Sequence, residues 1–317
     1  MNKTGFYSNA KARLHEMGEG HPESPLRLDA IADRLLISGL DVALNMRDAP
    51  MAREQDLLLA HDPQLVADIK KKAQDLSLDE GFMGPQYAHI DPDTLMNAHT
   101  WAAALSSVGA ALAATDAVID GHLENAFCCV RPPGHHATKS QSMGFCLFNN
   151  VAIAVKHALD VRGLHRVAVV DFDVHHGNGT EDILAGDERV LMVGFYQHPF
   201  YPYTKISPQP NNMLNVPLTA YTKGDEVRRV VLEKWLPRLQ AHRPEMIFIS
   251  AGFDAHRDDE MGQMLLKEED YAWITQQIVD LAHTFSDGKI VSCLEGGYDL
   301  RALGTSVEAH LRVLADC

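Results

Sequence analysis

Five short apolar runs recur along the chain, at residues 126–130, 167–170, 190–193, 246–250 and 290–294. They are rich in β-branched side chains and show no polar alternation, so they read as parallel strands buried on both faces. Longer stretches with helical periodicity lie between them, at 101–119, 150–161, 224–239 and 268–285. Strands alternating with helices predict an α/β fold with a mainly parallel sheet. No internal repeat or low-complexity linker interrupts the pattern, and one domain over residues 1–317 is expected. The least regular stretch is 198–217, where four prolines precede Pro217 and forbid a continuous helix. It reads as a loop, either plain surface or the wall of a site, because it follows a predicted strand.

Composition narrows the classes. The 317 residues are 46% hydrophobic and only 22% charged, enough for a large core and too apolar for disorder. The five cysteines are odd in number, with one adjacent pair and wide gaps elsewhere. That spacing suits neither a secreted disulfide framework nor a paired-cysteine zinc cluster, and reduced thiols in a cytoplasmic-type compartment are expected. The N-terminus lacks the pattern of a signal peptide, and no later apolar run is expected to reach the length of a membrane span. A formal charge of −15 repels phosphate backbones, so no nucleic-acid partner is expected, whereas cationic peptides or polyamines would be attracted. No heptad or apolar surface stripe announces an oligomer.

Four of the apolar runs end in polar, glycine-containing segments: RPPGHH after Val130, DFDVHHGNGT after Val170, AGFDAH after Ser250 and EGGY after Leu294. Ligands of open α/β sheets bind at the carboxyl ends of strands, so the four segments can converge on one site. In DFDVHHG the polar residues Asp171, Asp173 and His175 alternate with Phe172 and Val174, which puts them on one side of an extended backbone. Asp173 and His175 can share one ion, and Asp254 can add a third ligand while leaving a position open, as in a catalytic zinc site. An isolated Asp-x-His is most often a turn pair. Acidic and imidazole groups gathered behind several hydrophobic strands, however, need a metal or a tight ionic network to offset their desolvation.

The adjacent His135 and His136 follow a stiff Pro132-Pro133-Gly134 turn and suit proton transfer near neutral pH. Alone they would read as exposed loop histidines. Gly296 and Gly297 permit a sharp turn that could aim Tyr298 at the metal, with its hydroxyl donating to a developing oxyanion. Alone, that tyrosine would be only a turn residue.

Taken together and in this order, RPPGHH, GFCLFNN, DFDVHHGNGT, SAGFDAH and LEGGY resemble the zinc-dependent histone deacetylase family and its bacterial amidohydrolase relatives. The resemblance runs from HPESPLRL near residue 21 to beyond Tyr298. It implies an arginase-deacetylase fold, a single α/β domain around a mostly parallel sheet of about eight strands. It also implies that Asp173, His175 and Asp254 hold the metal, and that Tyr298 polarises the carbonyl of an acyl amide attacked by a histidine-activated water. By the same matching His136 is the general base and then acid, His135 gives electrostatic support, and Asp171 partners His135. Asn178 partners His136, an asparagine as in class II-like members, and should leave that ring less basic than an aspartate would. Phe145 and Tyr201 resemble the aromatics that line the acyl-lysine tunnel, and Gly144 would present its carbonyl to the substrate amide. Arg27 resembles an arginine near an internal acetate exit.

The chain also departs from the family. Gly194 stands where a serine commonly helps bind a structural potassium, which weakens the expectation of potassium there. Pro202, Tyr203 and Thr204 replace the frequent proline-glycine-threonine, so the rim near Tyr203 should differ in shape. Zinc is the expected metal, although an Asp, His, Asp set also accepts iron(II) or cobalt(II).

The substrate implied is an acetyl-lysine peptide or protein, or a small acetylated amine. Polyamine-selective relatives carry an acid seven positions after the last metal aspartate; here that position is Met261, with Glu260 beside it. A two-metal ureohydrolase would want aspartates at the positions held by Gly177 and His256. A silent scaffold would have lost a ligand, a tandem histidine or the tyrosine, and all are present.

Overall fold

The computed structural model describes residues 3–76, 86–206 and 208–317. Eight strands form one sheet: β1 (Thr4–Ser8), β2 (Asn45–Asp48), β5 (Asn125–Cys128), β6 (Val167–Asp171), β7 (Val190–Gln197), β8 (Met213–Leu218), β9 (Met246–Ala251) and β10 (Ile290–Leu294). Their spatial order is β2-β1-β5-β10-β9-β6-β7-β8, and every pairing is parallel. The strands β3 (Ala88–His89) and β4 (Leu95–Met96) make a small separate antiparallel ribbon. The helices are α1 (Leu26–Ser38), α2 (Glu54–Leu57), α3 (Pro63–Asp75), α4 (Thr100–Ile119), α5 (Asn150–Lys156), α6 (Asn178–Leu184), α7 (Gly224–Val230), α8 (Leu236–His242), α9 (Glu268–Phe285) and α10 (Leu300–Leu314).

Successive strand residues point to opposite faces, so the sheet feeds two cores. Phe6, Phe127, Val170 and Ile249 pack on one side with α1, α9 and α10. Tyr7, Cys128, Val169 and Phe248 pack on the other with α3, α4, α5 and α6. Helix α5 runs on through a π turn at His157–Val161, and α7 joins α8 through another at Val231–Trp235, so the two helical stretches expected at 150–161 and 224–239 are each continuous.

Two expectations are corrected. The stretch 198–217 is not loop throughout, because its end enters β8. Pro217 is tolerated there because β8 is an edge strand with one neighbour, and a missing N–H costs no ladder bond on the open side. In addition, α4 is long and apolar enough, by length and composition, to cross a membrane, although no such run was expected. Here most of it is buried in the second core, which explains why it is apolar all round.

Candidate active site and metal centre

The strands β5, β10, β9 and β6 are consecutive neighbours in the sheet, and the four polar segments leave their carboxyl ends side by side. Asp173, His175 and Asp254 thereby come together as a buried cluster whose ligand atoms all lie within 4.8 Å of one another. It is the one such three-residue cluster among the described residues. The Nδ1 of His175 lies 3.1 Å from Asp173 Oδ1 and 3.1 Å from Asp254 Oδ2. The backbone fixes both carboxylates: Gly296 N donates to Asp173 Oδ2 at 2.9 Å, and Val174 N donates to Asp254 Oδ1 at 2.9 Å. Asp254 Oδ2 is buried and takes no hydrogen bond.

An orphaned carboxylate oxygen facing a second buried carboxylate and one imidazole nitrogen is a poor arrangement without a cation and a fitting one with it. Electrostatics lead to the same conclusion. Burial opposes charge on His175, but Asp173 and Asp254 outweigh it and push the ring up to about 10. Burial and the charge of Asp173 push Asp254 up to about 6. The donor set therefore fits a divalent metal.

The tandem histidines enter from the turn after β5. His135 Nδ1 donates to Asp171 Oδ2 at 3.1 Å, and His136 Nδ1 donates to Asn178 Oδ1 at 2.7 Å. Each ring then has its other nitrogen free of that partner, which fixes the tautomer of His136 with its lone pair on Nε2. Their environments differ. Burial works against a proton on His135, yet the Asp173 and Asp171 charges raise it well above the ordinary histidine range. Burial, His135 and His175 hold His136 well below it. Burial and the nearby Asp254 charge raise the Tyr298 hydroxyl well above its usual value, so it keeps its proton.

Above this floor opens a pocket of about 250 Å³ lined by His136, Gly144, Phe145, His175, Phe200, Tyr201, Met261 and Tyr298, with Asp93, Tyr203 and Glu260 toward solvent. All four expected substrate-facing residues, Gly144, Phe145, Tyr201 and Met261, are in that lining. Phe145 stands edge-on to Tyr298 with ring centroids 5.9 Å apart, and Tyr201 edge-on to His136 at 5.2 Å. Gly194 pairs with Asp171 across β6 and β7. A β-carbon there would meet Asn215 Oδ1 at 2.9 Å, so the asparagine fills the space of a serine side chain.

Four contributors escaped the sequence reading. Phe200 lies flat on His175, centroids 5.4 Å apart and 18° between planes. Glu295, quoted within LEGGY but given no role, accepts Gly134 N at 2.7 Å and His135 N at 3.1 Å. Burial and the Asp171 charge push its carboxyl up to about 7 against the pull of His135 and those two N–H groups. Glu23 and Arg131 form a buried pair, with Arg131 Nη2 on Glu23 Oε2 at 2.7 Å, and Arg27 joins it at 3.1 Å. Arg27 Nε and Nη2 then donate to the carbonyls of Gly297 and Glu295. The HPESPLRL segment is thus a brace between the histidine turn and the tyrosine loop. Glu23 and Arg27 carried no local signal of this role, because Arg131 and the Gly297 and Glu295 carbonyls they hold are far off in sequence.

A fully parallel eight-stranded α/β sheet with a buried Asp-His-Asp floor, paired histidines and a tyrosine in one pocket defines a metal-dependent hydrolase of arginase-deacetylase type. The histone deacetylase domain profile matches residues 21–314, and the chain belongs to the histone deacetylase family. It is a hydrolytic deacetylase. Among its relatives, type-2 histone deacetylase 2 of Dictyostelium discoideum is 41% identical over 246 residues, 71% of this chain but 14% of that much longer protein. The histone deacetylase-like amidohydrolase of Pseudomonas aeruginosa is 35% identical over 286 residues, 88% of this chain and 73% of that one. The crystal structure of the HDA15 HD domain superposes with a TM-score of 0.91 at 32% identity, covering 99% of this chain and 88% of that chain.

Proposed function

We propose that this deacetylase hydrolyses acetyl-lysine-type linear amides, with zinc held by Asp173, His175 and Asp254. The observation that carries the reading is the opposed setting of the two histidines over one metal-binding floor, His135 against Asp171 and His136 against Asn178. Bound there, a divalent ion would supply Lewis acidity toward the amide carbonyl and lower the pKa of water. His136, its Nδ1–H spent on Asn178, takes the proton of the attacking water at Nε2 and returns it to the leaving nitrogen as the C–N bond breaks. His135, its Nδ1–H on Asp171, gives electrostatic support to the negative charge that develops on the attacked carbonyl. The Tyr298 hydroxyl donates to the former carbonyl oxygen, and acetate and the free amine result. Phe145, Phe200 and Tyr201 exclude bulk around a thin alkyl chain, and Met261 presents no charge to it.

A second reading, an acetylpolyamine substrate, is favoured by Asp93 and Glu260, two acids in the outer lining of the same pocket. The test compares kcat/KM of the zinc-loaded protein for an acetyl-lysine peptide, N-acetylputrescine and N-acetylspermidine, with a chelator control. A chelator-sensitive preference for the peptide upholds the lysine reading. Preference for the acetylated polyamines replaces it with the second, and silence on all three overturns both.

A further inference from the structure

The loop that carries Tyr298 hangs on one carboxylate that the reaction scheme does not use. Asp259 is buried, and among the described residues it forms no ion pair, whereas the adjacent Asp258 is half-exposed. Asp259 spends its oxygens on backbone donors. Its Oδ2 accepts Tyr298 N at 2.6 Å and Asp299 N at 3.1 Å, and its Oδ1 accepts Met261 N at 2.9 Å. Gly297, immediately before Tyr298, sits at φ +119°, in the region that glycine enters without strain. A Gly-Gly hinge has little conformational preference of its own, so the direction of the next side chain is set by whatever grips its backbone. Arg27 grips the carbonyl side of that hinge and stacks its guanidinium 4.9 Å from the Tyr298 ring centre. Asp259 grips the N–H side.

We propose that Asp259 is a positioning residue for deacetylation, fixing the backbone of Tyr298 and tying it to Met261 at the pocket wall. The inference rests on the role given to Tyr298 above. Hydrogen bonds to an ionised acceptor are roughly twice as strong as neutral ones, and two converging on one oxygen leave the loop little freedom. The same carboxylate joins the wall that meets substrate to the hydroxyl that meets its carbonyl, so a shift in one is felt by the other.

The experiment is a double-mutant cycle. Asp259→Ala and Asp259→Asn are made alone and on a Tyr298→Phe background and loaded with zinc. They are assayed on whichever of the acetyl-lysine peptide, N-acetylputrescine and N-acetylspermidine the unaltered protein turns over fastest. Bound metal and Tm are measured alongside. In Asp259→Ala, kcat falls about tenfold or more, the scale of a misplaced group, while KM stays within about threefold and one metal remains bound. Asp259→Asn loses less, because its amide oxygen still accepts the Tyr298 and Asp299 N–H groups. On the Tyr298→Phe background Asp259→Ala costs nothing further, because the hydroxyl it aims is gone.

The proposal alone is overturned if Tyr298→Phe is slow while both Asp259 variants keep full kcat. It is equally overturned if the two losses multiply, or if Asp259→Asn loses its metal. If Tyr298→Phe itself turns over normally, the role of the tyrosine falls first and this inference with it.

Discussion

Gly296 passes so close to Asp254 that a β-carbon on it would overlap the Oδ2 of that carboxylate, and it would stand 2.7 Å from Asp173 Oδ2. The glycine is required by space, since the same residue's N–H holds Asp173. Gly296→Ala should therefore push the two carboxylates apart. We expect metal affinity to fall about tenfold or more, read by competition with a chromophoric chelator, while far-ultraviolet circular dichroism stays unchanged. Affinity equal to that of the unaltered protein would mean that the carboxylates have room to move that the structure does not give them.

Tyr298 offers a cleaner separation of binding from chemistry. Its hydroxyl keeps its proton under the influence of burial and Asp254. Tyr298→Phe should retain one equivalent of metal and lose on the order of a hundredfold in kcat, as for removal of one oxyanion donor. Steady-state rates and metal analysis on the same preparation check this, and an unchanged kcat removes the residue from the reaction.

The brace between the two site-bearing turns is a buried ionic network. Glu23 and Arg131 are both fully buried, and Arg27 shares the same carboxylate. Glu23→Gln keeps the shape but strands two guanidinium groups, and should destabilise the fold by about 3–5 kcal/mol in urea titration. A loss below about 1 kcal/mol would show that water reaches and solvates the pair.

Acid sensitivity should come in part from neutral, buried histidines. His310, bonded to Thr275 Oγ1 at 2.7 Å and Ser292 Oγ at 3.0 Å, is pushed down to about 3 by burial. Burial likewise takes His61 down to about 4, against the pull of its Thr138 carbonyl partner. Below pH ~6.5 the unfolded chain takes up protons that these native rings refuse, so each contribution is complete above that pH and is lost as pH falls toward the native value. His310→Gln should flatten the slope of unfolding free energy between pH ~6 and ~4 by up to ~1.4 kcal/mol per pH unit. A slope identical to that of the parent would mean the ring is protonated in the native state.

Much of this was legible before any coordinates. The strands ending at Asp171, Ala251 and Leu294 announced themselves because strands buried on both faces must be continuously apolar, and the polar segments after them stood out by contrast. That rule fails at the sheet margins. β2 reads NMRD, and β8 contains Asn215 and Pro217, because an edge position leaves one side without a partner and relaxes the demand for apolar residues. Asp173, His175, Asp254 and the paired histidines were legible only in combination, as polar segments behind several apolar strands, since each alone reads as a turn or loop feature. Glu295, Asp259 and Glu23 were not, because each acts on backbone or charges far along the chain, and no local spacing encodes a bond between Glu23 and Arg131.

The order of strands also fixes when such a protein can become an enzyme. β10, encoded near the end, lies in the middle of the sheet between β5 and β9. Until residues 290–294 have been synthesised and threaded in, the earlier strands can form only two separate half-sheets, β2-β1-β5 and β9-β6-β7-β8, each with a raw inner edge. The histidine pair lies with the first half and the Asp173, His175 and Asp254 cluster with the second. A nascent or truncated chain ending before Ile290 therefore lacks Tyr298 and has no strand to bring the histidine pair and the Asp-His-Asp cluster face to face.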